Sequence, residues 1–453
     1  MDRSAVLRRI PFRPQPRDCE ICYSSLRRDG PVAERNRRIP QRNHPTGVQA
    51  LPSQPMRSIS TLSLLISGTA CVAFGALGGL SACGGGSSSD PPPSSGALGN
   101  ALSVQATDLG TASTNPDILG RDEAYSAAFQ GYSVWLYGDT ALQKPDASGR
   151  TFLSNTWSYT SDLDASHGIT GFQERADSAG SPSMLLQETP DEYSFNLEHY
   201  GDTCQVQPCG VRWAIWPSTI ITDPVSTHAL VFYTVQSVDQ YGKFQGVGGS
   251  VAIWQSFDQL PQRPTFSPVL VVDHPDLMFS QSDPSFGSAA VISNGVLYVY
   301  GCGNDTDGLD KGCRLGKVNP ANVQDRTTWT FYSGSGRWSS SVSDATPVFN
   351  GLDILSVSWN NYLQRYIAVY SSLFSQNVML RTASAPEGPW SDELLAFTAL
   401  SPASGNTYDA QAHSEFDAHG GQTIYVTYSR SLAAGGSEVR LVAVQLQTTG
   451  TLP

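Results

Sequence analysis

A chain of 453 residues, 40% of them hydrophobic, is long enough for one large domain or two ordinary ones. Only 15% of the residues are charged while 42 are Gly and 29 are Pro, which suits an all-β extracytoplasmic protein better than a helical cytosolic one. The net charge of -12 is unevenly shared: residues 1–57 hold twelve Arg against five acidic residues, leaving -19 on the rest. A body that acidic lacks the basic stripe needed for nucleic acid or an anionic membrane surface, whereas neutral sugars are compatible with it.

Residues 1–55 are rich in Arg and Pro without apolar periodicity, so disorder is expected. Cys19 and Cys22 form a lone CxxC, short of the four ligands of a structural zinc site. The simplest account is that translation starts at Met56 and that this stretch is not part of the protein made. From Met56, a short segment with Arg57 leads into an apolar, small-residue run from Leu62 to Leu80 that ends in Leu80-Ser81-Ala82-Cys83. Residues 56–82 resemble a bacterial lipoprotein signal peptide, which implies that Cys83 is lipidated and becomes the mature N-terminus. A transmembrane helix is the alternative, but the run is Gly-rich and marginal in length. Residues 83–104 then read as the lipidated Cys and a flexible tether, with Ser87–Ser89 and Pro91–Pro93. The expected location is the bacterial cell envelope, outside the cytoplasm and held to a membrane through the lipid.

Beyond Cys83 four cysteines remain: Cys204, Cys209, Cys302 and Cys313. They allow three pairings, of which the short loops 204–209 and 302–313 are the expected one. Both would staple surface loops in an oxidising compartment.

The body, residues 105–450, shows no long amphipathic helix. Strand-like runs recur between Gly, Pro, Asn and Asp, among them Ser133–Tyr137, Val211–Trp216, Ala229–Val235, Val269–Val272, Val296–Tyr300, Arg365–Tyr370 and Thr423–Tyr428. They fall into five packets beginning near residues 117, 206, 283, 345 and 406. Each packet offers a first strand, a turn and a second strand rich in Tyr and Val. Five such packets predict an all-β, five-bladed β-propeller, with a pair of β-sandwiches as the alternative.

The packet that organises the rest is Asp117 to Thr140. Its strands Ala124–Phe129 and Tyr132–Tyr137 flank a Gln-Gly turn, with Asp122 just before the first and Asp139 just after the second. In an antiparallel hairpin those two ends are neighbours, so the two carboxylates can meet at one edge. Paired carboxylates are the usual equipment for cleaving glycosidic bonds. The plainer reading is that each Asp caps a turn.

In a propeller the starts of the first strands converge. That groups Asp122 with Trp216, with Ser288, and with His413 and Glu415, which alternate on one face of an extended segment. Trp216 could stack on a sugar face, and Arg121 could orient a carboxylate or bind hydroxyls. The Asn304–Asp310 loop carries an Asp-x-Asp-Gly order, yet lacks the Glu and the helices of a calcium hand. No metal site and no cofactor is expected.

The order of several short motifs resembles the family called domain of unknown function 4185. The pieces are Gly120-Arg121-Asp122, Trp135-Leu136-Tyr137-Gly138-Asp139-Thr140, Ser154-Asn155-Thr156, Trp216-Pro217-Ser218 and Phe286-Gly287-Ser288-Ala289, followed by the runs Arg381–Trp390 and Tyr408–Phe416. The resemblance spans about residues 105–447 and implies a five-bladed propeller related in shape to arabinanases. Part of that family is classed as glycoside hydrolases acting within D-arabinofuranose polymers through a pair of aspartates, which map onto Asp122 and Asp139. Arg121, Asn155, Trp216, Ser288, His413 and Glu415 are then the candidate substrate-binding residues. The chain departs from the pattern at Glu123, where Gly or another small residue is expected. The function expected is hydrolysis of a poly- or oligosaccharide by a monomeric lipoprotein. The rivals are a glycan-binding propeller without turnover and a scaffold for another envelope protein.

Overall fold

The computed structural model describes residue 98 and residues 101–112, 115–304, 311–403, 405, 407–432 and 436–452. The signal segment 56–82, Cys83, the tether up to residue 97 and most of the Asn304–Asp310 loop lie outside these. The described chain is all-β, with one α-helix, Pro190–Glu198.

Five antiparallel sheets follow one another along the chain. Their first strands are Glu123–Phe129, Arg212–Thr222, Ser285–Ser293, Leu355–Asn360 and Thr407–Ala412. These strands touch in cyclic order, the last returning to the first. In each sheet the next strand in sequence pairs antiparallel with the first and a third pairs with the second, as sequential hairpins require. The fifth sheet is completed from the other end of the chain: Leu102–Thr111 pairs with Ser437–Thr448, from Leu102 opposite Thr448 to Thr111 opposite Arg440. A small sixth sheet of Ile118–Gly120, Thr140–Leu142 and Phe152–Leu153 lies beside the first hairpin.

The apolar core is divided among the interfaces between successive sheets. Tyr125, Val134 and Leu136 pack on Val231, Tyr233 and Trp254 between the first and second. Phe232 and Val251 meet Phe286 and Val299 between the second and third. Val291 and Tyr300 meet Val357 and Tyr370 in the next interface, and Val369 and Leu380 meet Ile424 and Val442 in the fourth. Ala124, Trp135 and Tyr137 close the circle against Tyr425 and Leu441. Alternation within each strand feeds one face to each neighbour, so every sheet is buried on both sides, which is why the strands read as nearly continuous apolar runs. Each buried Val or Leu contributes about 2 kcal/mol of transfer free energy.

Four first strands carry a β-bulge. The register slips at Ala124, between Pro217 and Ile220, between Phe286 and Ala289, and between Tyr408 and Gln411. Glu123, Ala124 and Asp409 take left-handed backbone angles there (φ 70°, 71° and 58°), as does Gly287. A bulge re-aims side chains and sharpens local twist.

Two expectations are corrected. Val269–Val272 is not a strand; its apolar residues Val269, Leu270 and Val272 are exposed. Both expected disulfides form, but Cys302 and Cys313 are fully buried and face each other across adjacent strands rather than stapling a surface loop. The short helix Pro190–Glu198 was not among the expected elements, and Thr189-Pro190-Asp191-Glu192 marks its start. Thr189 Oγ1 accepts from Glu192 N, Glu192 Oε2 accepts from Thr189 N, and Pro190 occupies the first turn.

Candidate active site

The Gln130-Gly131 turn (φ 47° and 90°) folds the first hairpin back on itself, and Glu123 comes to lie opposite Tyr137. Gly138 N donates to Asp122 O at 3.2 Å, so the two Asp-bearing ends run side by side. Asp139 is held by two donors from the second sheet: Arg212 Nη2 to Oδ2 at 2.6 Å and Trp216 Nε1 to Oδ1 at 2.9 Å. Arg212 also lies over the Phe152 ring, and the Trp216 ring meets Phe244 edge-on. Asp122 is buried and accepts from Tyr408 Oη at 3.1 Å.

Two further carboxyls join this pair, and the sequence reading assigned a role to neither. Asp409, in the bulge of the last first strand, accepts from Glu123 N at 3.2 Å. Glu123 O accepts from Gln411 Nε2 at 2.7 Å. The Glu123 carboxyl is folded over Gly138: a Cβ built on that glycine would lie 2.7 Å from Glu123 Cδ, so a larger residue there would displace the Glu123 carboxyl. Glu123 Oε2 is buried without a hydrogen-bond partner. Burial, then the charges of Asp122, Asp409 and Asp139, push the Glu123 carboxyl well above its ordinary 4.5. Burial and then Asp122 do the same to Asp409. The phenol of Tyr125 is driven up by burial and then by Glu123. Position 123 thus combines a backbone angle that favours Gly with a carboxyl inclined to keep its proton.

The remaining sequence candidates have other neighbours. Arg121 pairs with Glu174 at 2.8 Å and covers the Tyr137 ring at 3.5 Å. Asn155 is buried and fully engaged: Nδ2 donates to Leu186 O and Ile215 O, and Oδ1 accepts from Leu185 N and Leu186 N. It ties the loop before the helix to the second sheet. Ser288 donates to Ser285 O and accepts from Cys302 N inside its own sheet.

His413 and Glu415 follow the last first strand at its far end and meet Ser126, three residues along from Glu123. His413 Nδ1 lies 2.6 Å from Ser126 Oγ, and Nε2 lies 2.7 Å from Thr427 Oγ1. Its ring stacks on Trp135, and burial lowers its pKa to about 3. Glu415 Oε1 accepts from Ser133 and Ser126. This end of the first hairpin therefore brings Asp122, Asp139 and Trp216 near Glu123, Tyr408, Asp409 and Arg212, while Asn155, Ser288, His413 and Glu415 are hydrogen-bonded within the framework. Tyr408 and Asp409 were visible in the run Tyr408–Phe416, where strand alternation drew attention to its far end.

Two cavities lie at this end of the second sheet. One, of about 170 Å³, is lined by Gln236, Gly246, Gly249, Gln281, Asp283 and Ser285 among others. The other, of about 240 Å³, is bordered by Arg212, the residue that holds Asp139. Neither wall includes Asp122, Glu123, Asp139 or Asp409. Among the described residues no group of three or more His, Cys, Asp or Glu side chains is placed to hold a metal ion. No helix among them is long and apolar enough to cross a membrane.

Residues 94–432 match the family model described as "Domain of unknown function (DUF4185)". No curated protein matches in sequence. Among solved structures, a candidate hydrolase from Bacteroides ovatus is similar over 75% of this chain and 90% of its own, at 12% identity and a TM-score of 0.50. The α-L-arabinofuranosidase of Podospora anserina in complex with cellotriose is similar at 10% identity and a TM-score of 0.39, over 76% and 98%. A family 117 glycoside hydrolase of Zobellia galactanivorans is similar at 10% identity and a TM-score of 0.42, over 76% and 90%. The likeness to the Bacteroides ovatus protein is one of fold alone.

Proposed function

The chain belongs to the DUF4185 family, and from that membership we propose that it is a five-bladed β-propeller that hydrolyses glycosidic bonds in a neutral poly- or oligosaccharide. Arabinofuranosidic bonds are the first class to examine. The blade count is supported by the cyclic contact of five first strands and by five separate interfacial cores. The observation that carries the chemistry is the adjacency of the two Asp-bearing ends of the first hairpin, where Gly138 N donates to Asp122 O and each aspartate is held by donors from a different sheet. Asp122 and Asp139 divide the acid role and the nucleophile or base role. Glu123 and Asp409 add carboxyls biased toward the protonated form, an environment in which one acid of a cluster stays neutral while another is ionised. In the same reading Cys83 is lipidated, which puts the propeller in the bacterial cell envelope as a monomer on a tether; the Leu80-Ser81-Ala82-Cys83 run supports this.

One observation favours a second reading. Both oxygens of Asp139 already accept hydrogen bonds, from Arg212 and Trp216, as in a polar anchor that binds sugar without reacting. The Asp139→Asn variant separates the two. Reducing ends released from a panel of arabinans, arabinogalactans and xylans are counted for wild type and variant. Hydrolysis predicts that turnover falls by about a thousandfold while glycan binding persists. Unchanged turnover would remove Asp139 from the chemistry, and binding without turnover by the wild type would establish the anchor.

A further inference from the structure

The cavity beside Arg212 is built by the segment that joins the first sheet to the second. Its helix is pinned at both ends: Arg263 pairs with Glu192 at 2.7 Å, and Asn196 exchanges hydrogen bonds with Trp213 N and O. Beyond the helix, Gln205 N and Gly210 N return to Glu198 O and His199 O, and the Cys204–Cys209 disulfide closes the loop. The wall is therefore a fixed structure, not a loose loop.

Three features of that wall point to a ligand. Phe152, Tyr200 and Trp213 contribute rings, and all three are only partly buried, so the space is reachable from solvent. Ser154 is 6% exposed, and its Oγ has no hydrogen-bond partner; Arg212 Nη1 is likewise buried without one. Both residues line the cavity, and each holds a polar atom that is closed to solvent and without a partner, whereas buried polar groups are ordinarily satisfied. Finally, the charged groups of the wall are already matched: Arg150 with Asp146 and Glu188, Arg212 with Asp139.

We propose that this cavity is a subsite for one uncharged sugar ring, whose apolar face lies on the aromatic wall and toward whose hydroxyls the Ser154 hydroxyl and the Arg212 guanidinium, closed to solvent in the free protein, turn on binding. The inference rests on the hydrolase reading only for its place in the reaction. Because Arg212 touches both the cavity and Asp139, a ring seated here belongs to the same glycan as the bond presented to Asp139. Matched wall charges favour arabinose-, xylose- or galactose-type rings over uronic acids.

The test is binding to the full chain, by calorimetry, of neutral arabino-, xylo- and galacto-oligosaccharides, with an oligogalacturonide as the charged comparison. Wild type, Asp139→Asn, Ser154→Ala and Phe152→Leu are measured, and thermal melting confirms that each is folded. The expected result is binding of a neutral probe that Ser154→Ala and Phe152→Leu each weaken about tenfold, the equivalent of one lost good contact, and that Asp139→Asn retains. A neutral probe bound equally by wild type and Ser154→Ala overturns the subsite, as does preference for the oligogalacturonide. So does the absence of binding by every neutral probe, which would leave water as the occupant. Ser154-dependent binding without turnover of any glycan sinks the hydrolase reading and keeps the subsite. Turnover with the same KM in wild type and Ser154→Ala does the reverse.

Discussion

Replacing Glu123 by Gln removes a titratable proton from the crowded centre of the site while keeping the shape of the side chain. In the folded chain burial, Asp122, Asp409 and Asp139 hold the Glu123 carboxyl well above 4.5, the value it regains on unfolding. Between those two values the folded chain keeps a proton that the unfolded chain has released. Stability contributed by the neutral carboxyl is then fully present below 4.5 and declines as pH rises toward the folded value. The decline is about 1.4 kcal/mol per pH unit within that window. Asp409, raised by burial and Asp122, adds a second slope of the same sign that the variant keeps. Within the Glu123 window, wild type should therefore lose stability more steeply than Glu123→Gln by about 1.4 kcal/mol per pH unit. Urea unfolding of both proteins at several values between about pH 5 and about pH 8 reads the two slopes directly. Parallel lines would refute the account, because they would mean that Glu123 ionises in the fold as it does in the open chain. A companion variant, Glu123→Gly, separates charge from backbone. It relieves a left-handed φ worth about 1 kcal/mol but uncovers Gly138, so it should match the Gln slope at a different absolute stability.

Removing the Arg212 guanidinium with Ala leaves Asp139 a single donor, Trp216. A loss of about 1–3 kcal/mol in transition-state binding follows, about ten- to a hundredfold in kcat/KM on whichever glycan is turned over; full activity would show that Asp139 needs no orienting partner. Asn155→Ala removes four hydrogen bonds to backbone groups and should cost about 3 kcal/mol or more, read as a fall in the urea midpoint. A smaller change would mean that the loop before the helix is held by other contacts. Asp417 is raised from 3.8 to about 7 by burial and then by Glu415. Its contribution to stability is therefore present in acid and is lost as pH climbs to about 7. Asp417→Asn should flatten that stretch of the stability–pH curve, and an unchanged curve would place the titration elsewhere.

What the sequence disclosed divides along a physical line. The hairpin Glu123–Phe129 and Tyr132–Tyr137 was legible because β-branched and aromatic runs around Gln130-Gly131 leave few other solutions. The closeness of Asp122 and Asp139 followed from antiparallel geometry alone. The packets near 206, 283 and 406 each open on an observed first strand or just before one, because strands buried on both faces announce themselves by composition; the packet near 345 opens on Pro347–Asn350, which pairs in the third sheet, before the first strand Leu355–Asn360. Position 123 was noticed only as a departure from a family pattern; its φ of 70° is the reason a small residue suits it. Asp409 escaped because alternation assumes an unbroken pleat, and the bulge between Tyr408 and Gln411 breaks it. The partners of Asp139 were out of reach for another reason: Arg212 is 73 residues away, and nothing local marks the pair.

The pairing of Leu102–Thr111 with Ser437–Thr448 sets an order of events for the chain as it is made. The earliest strand has no partner until the latest one has been synthesised, more than 300 residues afterwards. Until then its edge is open, as are the faces of the first and fifth sheets that meet through Trp135 and Tyr425. Contacts this distant in sequence form slowly, and an unpaired edge invites wrong partners in the interval. Shortening the chain by its final strand would not trim one sheet but would unfasten both ends of the ring. A circular permutant that joins Leu102–Thr111 directly behind Ser437–Thr448 through a short turn would instead make the closing contact local, and it should refold faster than the natural order.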